Sequence, residues 1–353
     1  MLFLGALNPY RDKDFLQFFV VLGQRLFQFL SGSLPLKDLA SDEIQLLVLV
    51  LVATASALVG SFLVLKNMTM LANSLSHTIL LGLVSAYLIF FSFDSIHGSY
   101  VLSLNALLVA ALITAILTTL LTEFLTQMLK LQEDASIGLV FTTLFALSIV
   151  LVTIFTRNAH LGTEAVTGSV DALHFDDLRL VFWVALFDLI IVVLFFKLFK
   201  ATTFDSSFSI SIGIPTAWLN YLLMVQTAAT AIGAFRAVGI LLFLSFIVGP
   251  PLTARLLTHR LRTLLILSAV LGASSSILAV ACARHFLSRY RMPLSTSGLV
   301  VLMIALVYLL TFFLTSLCNV IRKQRCILSA QDGRSSPDLK TSNFFNAEEG
   351  QRR

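Results

Sequence analysis

The chain has 353 residues, of which 58% are hydrophobic and only 12% are charged. Because a soluble domain carries about 25% charged residues, this composition excludes an ordinary cytosolic enzyme, a nucleic-acid-binding protein and a disordered chain. The net charge is +5, from 24 basic and 19 acidic side chains. The sequence therefore predicts an integral membrane protein.

The N-terminal arm, residues 1–43, contains an apolar segment at 15–34 that is interrupted by Arg25 and three glutamines. This pattern is typical of an amphipathic helix that lies at the membrane interface. A further membrane span is the alternative interpretation of the same segment.

Nine apolar runs follow, and each is long enough to cross a bilayer as a helix of about 20 residues. They lie at approximately 44–65, 77–93, 99–122, 135–156, 180–199, 216–235, 236–257, 263–283 and 295–321. We therefore expect an all-α fold, a polytopic transmembrane helical bundle of about nine spans that forms one domain over 44–321. The runs Ala53–Gly60 and Leu271–Ser276 are rich in small residues, which predicts close helix contacts there.

Residues 322–353 form a polar tail with seven basic and four acidic side chains, and we expect this tail to be disordered. Cytoplasmic loops are enriched in Lys and Arg, so the basic residues at the start of the tail favour a cytoplasmic C-terminus. Nine spans then place four loops inside, near Lys66, Lys130, Lys197–Lys200 and Arg255–Arg262. The acidic loop at 157–179 lies outside.

The spans carry no residues arranged for catalysis. The sequence contains no Gly-x-Ser-x-Gly, His-Glu-x-x-His or Walker A motif. Asp188 is the only acid near the centre of a span, and this shortage of intramembrane charge disfavours an ion-coupled transporter. These features predict a transport subunit, not an enzyme, that takes its energy from another subunit.

Four stretches of the sequence together resemble the permease subunits of ABC importers for zinc, manganese and iron. They occur in the order of that family and cover most of 44–320. They are Leu65–Gly82, Asp134–Phe141, Phe204–Asp205 with Gly213, and Arg236–Leu242 continuing through Pro250–Ala254. The resemblance implies alternating access driven by ATP, with a divalent metal ion as the transported substrate and no permanently bound cofactor.

The resemblance also implies the partners of the chain. They are a separate ABC ATPase subunit, a second permease subunit that is identical or paralogous, an extracytoplasmic metal-binding protein and membrane lipid, with no nucleic acid. The implied location is the inner (cytoplasmic) membrane.

Asn73 and His77, in the first stretch, are four residues apart, so on a helix they share one face. Imidazole nitrogen binds zinc, iron and manganese, and hydroxyl or amide oxygens can complete a transient shell. The family usually has an acidic residue at the position of Asn73. The resemblance makes Asn73 and His77 candidate metal ligands on the translocation path, and the alternative is that His77 only hydrogen-bonds within the bundle.

The segment Phe204–Pro215 predicts a short amphipathic helix that is capped by Asp205 and ends at Gly213. In the family, such a helix docks in a groove on the ATPase, so Phe204, Asp205 and Gly213 are candidate coupling residues. A solvated loop is the alternative. Upstream, Glu133–Gly138 indicates the start of a helix.

The outer segment His160–Leu178 resembles the Asp-Ala-Leu-His loop of manganese- and iron-type members. Its four acids would attract a divalent cation or meet a basic rim on a binding protein. Solvation, with capping of the next helix, is the alternative.

Three other functions stay open at this point. A proton-coupled secondary metal transporter would use Asp188 as its coupling acid. A membrane receptor or assembly factor would not transport metal at all. An importer of siderophore or cobalamin would have a similar architecture but would carry a chelate in place of the naked ion.

Overall fold

The structure, a computed structural model, describes residues 9–10, 15–31, 40–74, 77–78, 81–82, 84–85, 104–155, 170, 173, 175–292 and 294–332. Within these ranges it is helical and contains no strand, which confirms the predicted all-α bundle. The helices are α1 (Phe15–Leu30), α2 (Ser41–Leu65), α3 (Leu104–Met128), α4 (Glu133–Phe155), α5 (Phe175–Leu194), α6 (Phe196–Phe204), α7 (Ser206–Ser211), α8 (Thr216–Val238), α9 (Ile240–Leu257), α10 (Leu261–Tyr290) and α11 (Thr296–Asp332). Residues 69–74, 77–78, 81–82 and 84–85 are also helical.

Four of the described helices are long and apolar enough to cross a membrane: α2, α9, α10 and the Thr296–Cys318 part of α11. A fifth candidate is α5 together with α6, which are bent by 70° at their junction. The predicted runs at 99–122 and 135–156 correspond to α3 and α4, whose apolar stretches are shorter. Since the run at 77–93 lies mostly outside the described residues, the count of nine spans stays a prediction. The protein is a multi-pass helical membrane protein.

Helix α2 occupies the centre of the bundle, where it packs against α10, α9, α5 and α8. Small residues bring its backbone close to two of these helices. A Cβ added at Gly60 would overlap the backbone carbonyl of Ile247 in α9, and a Cβ added at Gly272 in α10 would lie 3.3 Å from Ala53. The two small-residue runs therefore make the close helix contacts that the sequence predicts.

Helices α8 and α9 are joined by a single residue, Gly239, whose φ of 82° is easily adopted only by glycine. The ring centroids of Phe235 and Phe243 are 5.3 Å apart across this junction. The helix is therefore interrupted between the two runs that the sequence predicts as separate spans.

Helix α1 packs on α10 and is also fixed to the start of α2 by charged groups. Arg25 pairs with Glu43, whose carboxylate also accepts a hydrogen bond from the Tyr10 hydroxyl at 2.9 Å. The neighbouring Asp42 pairs with Arg284 of α10. Burial and the Glu43 carboxylate raise the pKa of Tyr10 above its ordinary range, so the phenol stays a neutral donor.

One side of helix α1 is buried against the bundle and the other is exposed. Phe18 is buried, whereas Leu16 and Phe27 are exposed. With 16 residues, α1 is shorter than the about 20 residues that a span requires. Its position at the membrane interface stays a prediction.

The chain divides into two units, Met1–Tyr308 and Leu309–Arg353. The described part of the second unit is the remainder of α11, which ends at Asp332. Residues 322–332 are therefore helical, whereas the sequence predicts a disordered tail from 322 onward. The reason is that Arg, Lys and Gln at the start of this segment are good helix formers. Residues 333–353 lie outside the described ranges, and the domain boundaries stay a prediction.

Candidate functional site

The chain bends by 70° between α5 and α6, and α6 leads from this bend to the predicted coupling segment, which begins at Phe204. Helix α6 ends at Phe204, and Asp205, with extended φ of −147° and ψ of 96°, separates it from α7. Oδ1 of Asp205 accepts a hydrogen bond from the backbone N–H of Phe208 at 2.8 Å. The short helix and its predicted cap are therefore present, because the carboxylate satisfies a backbone donor that the first turn leaves free.

The C-terminus of α7 is closed by a pair of backbone hydrogen bonds. The N–H of Gly213 donates to the carbonyl of Ile210 at 3.0 Å, and the N–H of Ile214 donates to the carbonyl of Ser209 at 3.0 Å. This pair is a Schellman motif, which needs a residue in the left-handed region, and Gly213 has a φ of 84°. A helix of six residues thus has both ends capped by local contacts.

Large apolar side chains project from this capped helix and its flanks. The exposed fractions are 61% for Phe204, 59% for Phe208, 60% for Ile210 and 59% for Ile212. Ser209, by contrast, is fully buried, so its position accepts only a small side chain. Contiguous apolar side chains of this kind mark a contact with another protein or with lipid.

Two of the basic residues that the sequence assigns to the cytoplasmic side contact the helices that flank the coupling segment. Nζ of Lys66, at the end of α2, donates to Oδ1 of Asn220 near the start of α8 at 2.6 Å. The guanidinium of Arg262, at the start of α10, lies 5.6 Å from the ring centroid of Phe196 in α6. These contacts bring two of the predicted inside loops to the same end of the bundle as α7.

His77 lies half-buried against α4. Its ring centroid is 5.4 Å from that of Phe141 and 5.0 Å from that of Phe145, and the two phenylalanine rings stack at 5.7 Å. Since Phe141 ends the second of the four sequence stretches, the structure brings the first and second stretches together. Asn73, one helical turn before His77, is also half-buried. Sequence reasoning missed the Phe141–Phe145 pair, whose signal was its four-residue spacing on α4.

Two buried hydroxyls share the helix faces that meet at His77. Ser74 is three residues before His77, and Ser148 is three residues after Phe145. Both Oγ atoms are buried and have no hydrogen-bond partner among the described residues. Over the same part of the chain, no group of three or more His, Cys, Asp or Glu could hold a metal ion. Metal contact at His77 would therefore use one imidazole and neutral oxygens.

Asp188, the acid near the centre of a predicted span, is fully buried between α5 and α8. Its Oδ2 lies 2.7 Å from Oγ1 of Thr230, and its backbone carbonyl accepts a hydrogen bond from Nε2 of Gln226 at 3.1 Å. Both partners are on α8, so residue 188 takes part in a contact between two helices.

Comparison with known proteins agrees with this architecture. The sequence profile of the ABC 3 transport family matches residues 44–315. The chain belongs to the ABC 3 transport family. This membership confirms the resemblance carried by the four stretches.

Two relatives of this ABC 3 family chain match it over nearly their whole length. A probable metal transport system membrane protein of Chlamydia trachomatis is 40% identical over 325 residues, covering 92% of this chain and 98% of the relative. The manganese transport system membrane protein MntD of Bacillus subtilis is 32% identical over 299 residues, covering 81% of this chain and 96% of the relative. Among solved structures, PsaBC from Streptococcus pneumoniae in complex with Fab contains a chain with a TM-score of 0.64, at 22% identity, covering 81% of this chain and 95% of that one. The likeness to PsaBC shows a shared fold.

The candidate residues of this ABC 3 family chain lie on two separate elements. Phe204, Asp205 and Gly213 surround α7, whereas Asn73 and His77 lie in the helical residues that meet α4. Their roles in transport stay predictions. The outer acidic segment lies mostly outside the described residues, which include 170, 173 and the start of α5 but not 156–169.

Proposed function

We propose that this chain is the membrane-spanning permease subunit of an ATP-driven importer of divalent metal ions. It belongs to the ABC 3 transport family, and its relatives bear the names of metal and manganese transport membrane proteins. Manganese, zinc or iron is the transported substrate. The observation that carries the proposal is α7, a capped helix with exposed apolar side chains at the end of the bundle where the basic loops lie.

ATP hydrolysis takes place on a separate ABC ATPase subunit that docks on α7. Phe204 and Phe208 insert into an apolar groove of the ATPase, and Asp205 holds the first turn of α7 in shape. Buried aromatic anchors of this kind dominate interfaces, often at about 2 kcal/mol or more each. Because α7 is joined to α5 by α6 and lies directly before α8, a displacement of α7 reaches the spans.

The metal ion passes His77 during alternating access. Imidazole nitrogen is a borderline ligand that binds and releases manganese or zinc, and the Asn73 amide and Ser74 hydroxyl add neutral oxygens. A site without a carboxylate holds a dication weakly, which suits a path because the ion must also leave. The rings of Phe141 and Phe145 restrict the positions of the imidazole.

The complete importer pairs this chain with a second permease subunit, identical or paralogous, and receives the ion from an extracytoplasmic metal-binding protein. It lies in the inner (cytoplasmic) membrane with α7 and the C-terminus inside. The basic residues near α7 support this orientation, since Lys and Arg are enriched in cytoplasmic loops. The coupling role of α7 requires the same orientation, because ATP is cytoplasmic.

The double variant Phe204→Ala with Asp205→Ala tests the docking of the ATPase. We expect the variant chain to insert and purify at the wild-type level. Co-purification of the ATPase and ATP-dependent Mn²⁺ uptake should each fall by about tenfold or more, because the variant loses an apolar anchor and a helix cap.

The matched control is Phe182→Ala. Phe182 is also about half exposed (49%), but it lies in the first half of α5, far along the chain from α7. It should leave both readouts unchanged. Normal ATPase co-purification together with normal uptake in the double variant would contradict the proposed docking of α7.

A further inference from the structure

Helices α5 and α8, which flank the coupling segment, run antiparallel in direct contact. The facing pairs are Val184 with Gly233, Asp188 with Thr230, and Phe195 with Trp218. Residue numbers rise along α5 as they fall along α8, which is the order of an antiparallel pair. A Cβ added at Gly233 would lie 3.1 Å from Cγ2 of Val184, and the rings of Phe195 and Trp218 are 5.5 Å apart. We call residues 175–238, from α5 to α8, the coupling hairpin.

The polar contact in this hairpin contains more acceptors than donors. Oγ1 of Thr230 lies 2.7 Å from Oδ2 of Asp188 and 2.8 Å from the backbone carbonyl oxygen of Gln226. A hydroxyl carries one proton, so Thr230 cannot fully donate to both oxygens. A proton on Oδ2 of Asp188 removes the conflict, since the carboxyl then donates to Thr230 and Thr230 donates to Gln226.

The other carboxyl oxygen supports the same conclusion. Oδ1 of Asp188 is buried and has no hydrogen-bond partner among the described residues. The neighbouring side-chain amide is Gln226, and since one of its N–H groups donates to the backbone carbonyl of Asp188, at most one remains for an ionised carboxylate, whose burial in a dry interior is costly. In a neutral acid, the same oxygen is an ordinary carbonyl, for which an unmade hydrogen bond costs much less.

The sequence around Asp188 supplies no counter-charge. Apart from Asp188 itself, residues 180–196 of the hairpin contain no Asp, Glu, Lys, Arg or His, and neither do residues 217–235 of α8. Helix α2, which also packs on α5, carries none of these residue types after Glu43 at its first turn, and α3, which packs on α8, carries only Glu123, which is itself an acid. Protonation is therefore the available way for the carboxyl to be neutral in this position.

We propose that Asp188 is a positioning residue, a proton-bearing clasp that fixes α5 to α8 so that the coupling hairpin moves as one unit. This inference rests on the proposed function, because the hairpin carries α7 between its two long helices. If α5 and α8 could slide past each other, part of any displacement of α7 would be absorbed within the hairpin. With the clasp closed, the displacement reaches both spans together. The carboxyl is a hydrogen-bond donor in this account and binds no transported ion.

The test measures the number of ATP molecules hydrolysed per Mn²⁺ ion transported by the full complex, reconstituted in liposomes with its co-purifying ATPase. Asp188→Asn keeps a donor at the position of Oδ2 and carries no charge, so it should keep the wild-type ratio. Asp188→Leu and Thr230→Val remove the hydrogen bond and should raise the ratio by about fivefold, the factor that corresponds to about 1 kcal/mol. ATPase co-purification should stay normal in all three.

Thr227→Val is the matched control for Thr230→Val. Thr227 is equally buried one turn earlier on α8, but its hydroxyl donates at 2.7 Å to the backbone carbonyl of Leu223 in its own helix. The same substitution there should leave the ratio unchanged. An equal rise of the ratio in Thr227→Val and Thr230→Val would overturn the inference, because the loss of any buried hydroxyl on α8 would then be enough to raise it.

A cross-link between the two helices tests the clasp independently of the stability of the variants. A Cβ at Gly233 would lie 3.4 Å from Cβ of Val184, close to the about 3.5–4.5 Å of a disulfide. In Thr230→Val with Val184→Cys and Gly233→Cys, oxidation should restore the wild-type ratio and reduction should raise it again. An unrestored ratio in a fully cross-linked, transporting complex would overturn the clasp.

Failure of the clasp and failure of the proposed function give different results. A wild-type complex that hydrolyses ATP but carries no Mn²⁺, Zn²⁺ or Fe²⁺ contradicts the proposed function and the clasp with it. A wild-type complex that transports normally, with Asp188→Asn as impaired as Asp188→Leu, contradicts the clasp alone, because the carboxylate charge would then be required.

Discussion

Two parts of the bundle are held together by different kinds of contact. Helices α2, α9 and α10 meet through small residues, with Gly60 against the backbone of Ile247, and Oγ of Ser61 lies 3.0 Å from Oγ of Ser268. In the coupling hairpin, α5 and α8 meet through the Asp188 contact and aromatic rings. Backbone contact holds α2 and α9 rigidly together, whereas α5 is joined to α8 through side chains, with the Asp188 contact keeping the two helices in register. Helices α2, α9 and α10 therefore suit a fixed frame, and the hairpin suits a part that moves as one unit.

The largest expected effect comes from the fixed frame. In Gly60→Ala, the new Cβ would overlap the carbonyl of Ile247, which is backbone and cannot rotate away. Overpacking of a core costs about 1–3 kcal/mol even when a side chain can move, so we expect loss of most folded protein. Monodisperse protein on detergent size exclusion, with its melting temperature, is the readout.

Gly138→Ala is the control for this prediction, because a Cβ at Gly138 in α4 would meet nothing within 4 Å. Its yield should equal that of the wild type or exceed it slightly, since alanine favours a helix over glycine by about 1 kcal/mol. Wild-type yield and melting temperature in Gly60→Ala would show that the α2–α9 contact is not rigid.

A residue outside both parts sharpens the comparison. His77→Phe keeps an aromatic ring beside Phe141 and Phe145 but removes the nitrogen ligand. We expect wild-type stability and ATPase assembly, with Mn²⁺ uptake at limiting metal reduced by about tenfold, equivalent to about 1.4 kcal/mol. Asn73→Asp should instead strengthen metal retention, because it adds a charged oxygen ligand one turn from His77.

If His77 only packs within the bundle, its replacement by phenylalanine and its replacement by alanine should give different results. His77→Phe would then transport at the wild-type rate, and His77→Ala would lose transport only in proportion to folded protein. Either result would remove His77 from the path and leave the frame and the hairpin unaffected.

The smallest expected effect lies in the hairpin. In Gly213→Ala the side chain has open space, so the cost is the left-handed backbone alone, about 1–2 kcal/mol. Folded yield should therefore match the wild type, while ATPase co-purification falls by about fivefold, the factor for about 1 kcal/mol. Since asparagine tolerates this backbone conformation better than alanine, ATPase co-purification of Gly213→Asn should lie between that of the wild type and that of Gly213→Ala. A loss of folded yield in Gly213→Ala would mean that α7 belongs to the fixed frame.

The coupling helix was predictable from the sequence because its determinants are local. Asp205 caps α7 from three residues before its partner Phe208, and Gly213 closes the other end within the same segment. The apolar runs and the small residues of α2 could also be predicted, because each depends only on the composition of a short stretch of sequence. Helix α11 shows where local reasoning fails, since the change of polarity at 322 does not end the helix, which continues to Asp332.

Contacts between distant parts of the chain were not predictable. Asp188 meets Thr230 across 42 residues of sequence, and His77 meets Phe141 only through the packing of its helix on α4. The sequence pattern of each helix is nearly uniformly apolar, so it carries little information on which face meets which neighbour. The sequence showed Asp188 only as the coupling acid of the alternative, a proton-driven transporter, and gave no sign of its partners on α8.

The most direct test of the central claim compares energy sources in liposomes that contain this chain and its co-purifying ATPase. The account predicts that Mn²⁺ uptake requires ATP, is unaffected by collapse of a proton gradient and is lost in Phe204→Ala with Asp205→Ala. Uptake that proceeds without ATP, follows an imposed proton gradient and persists in that double variant would contradict it.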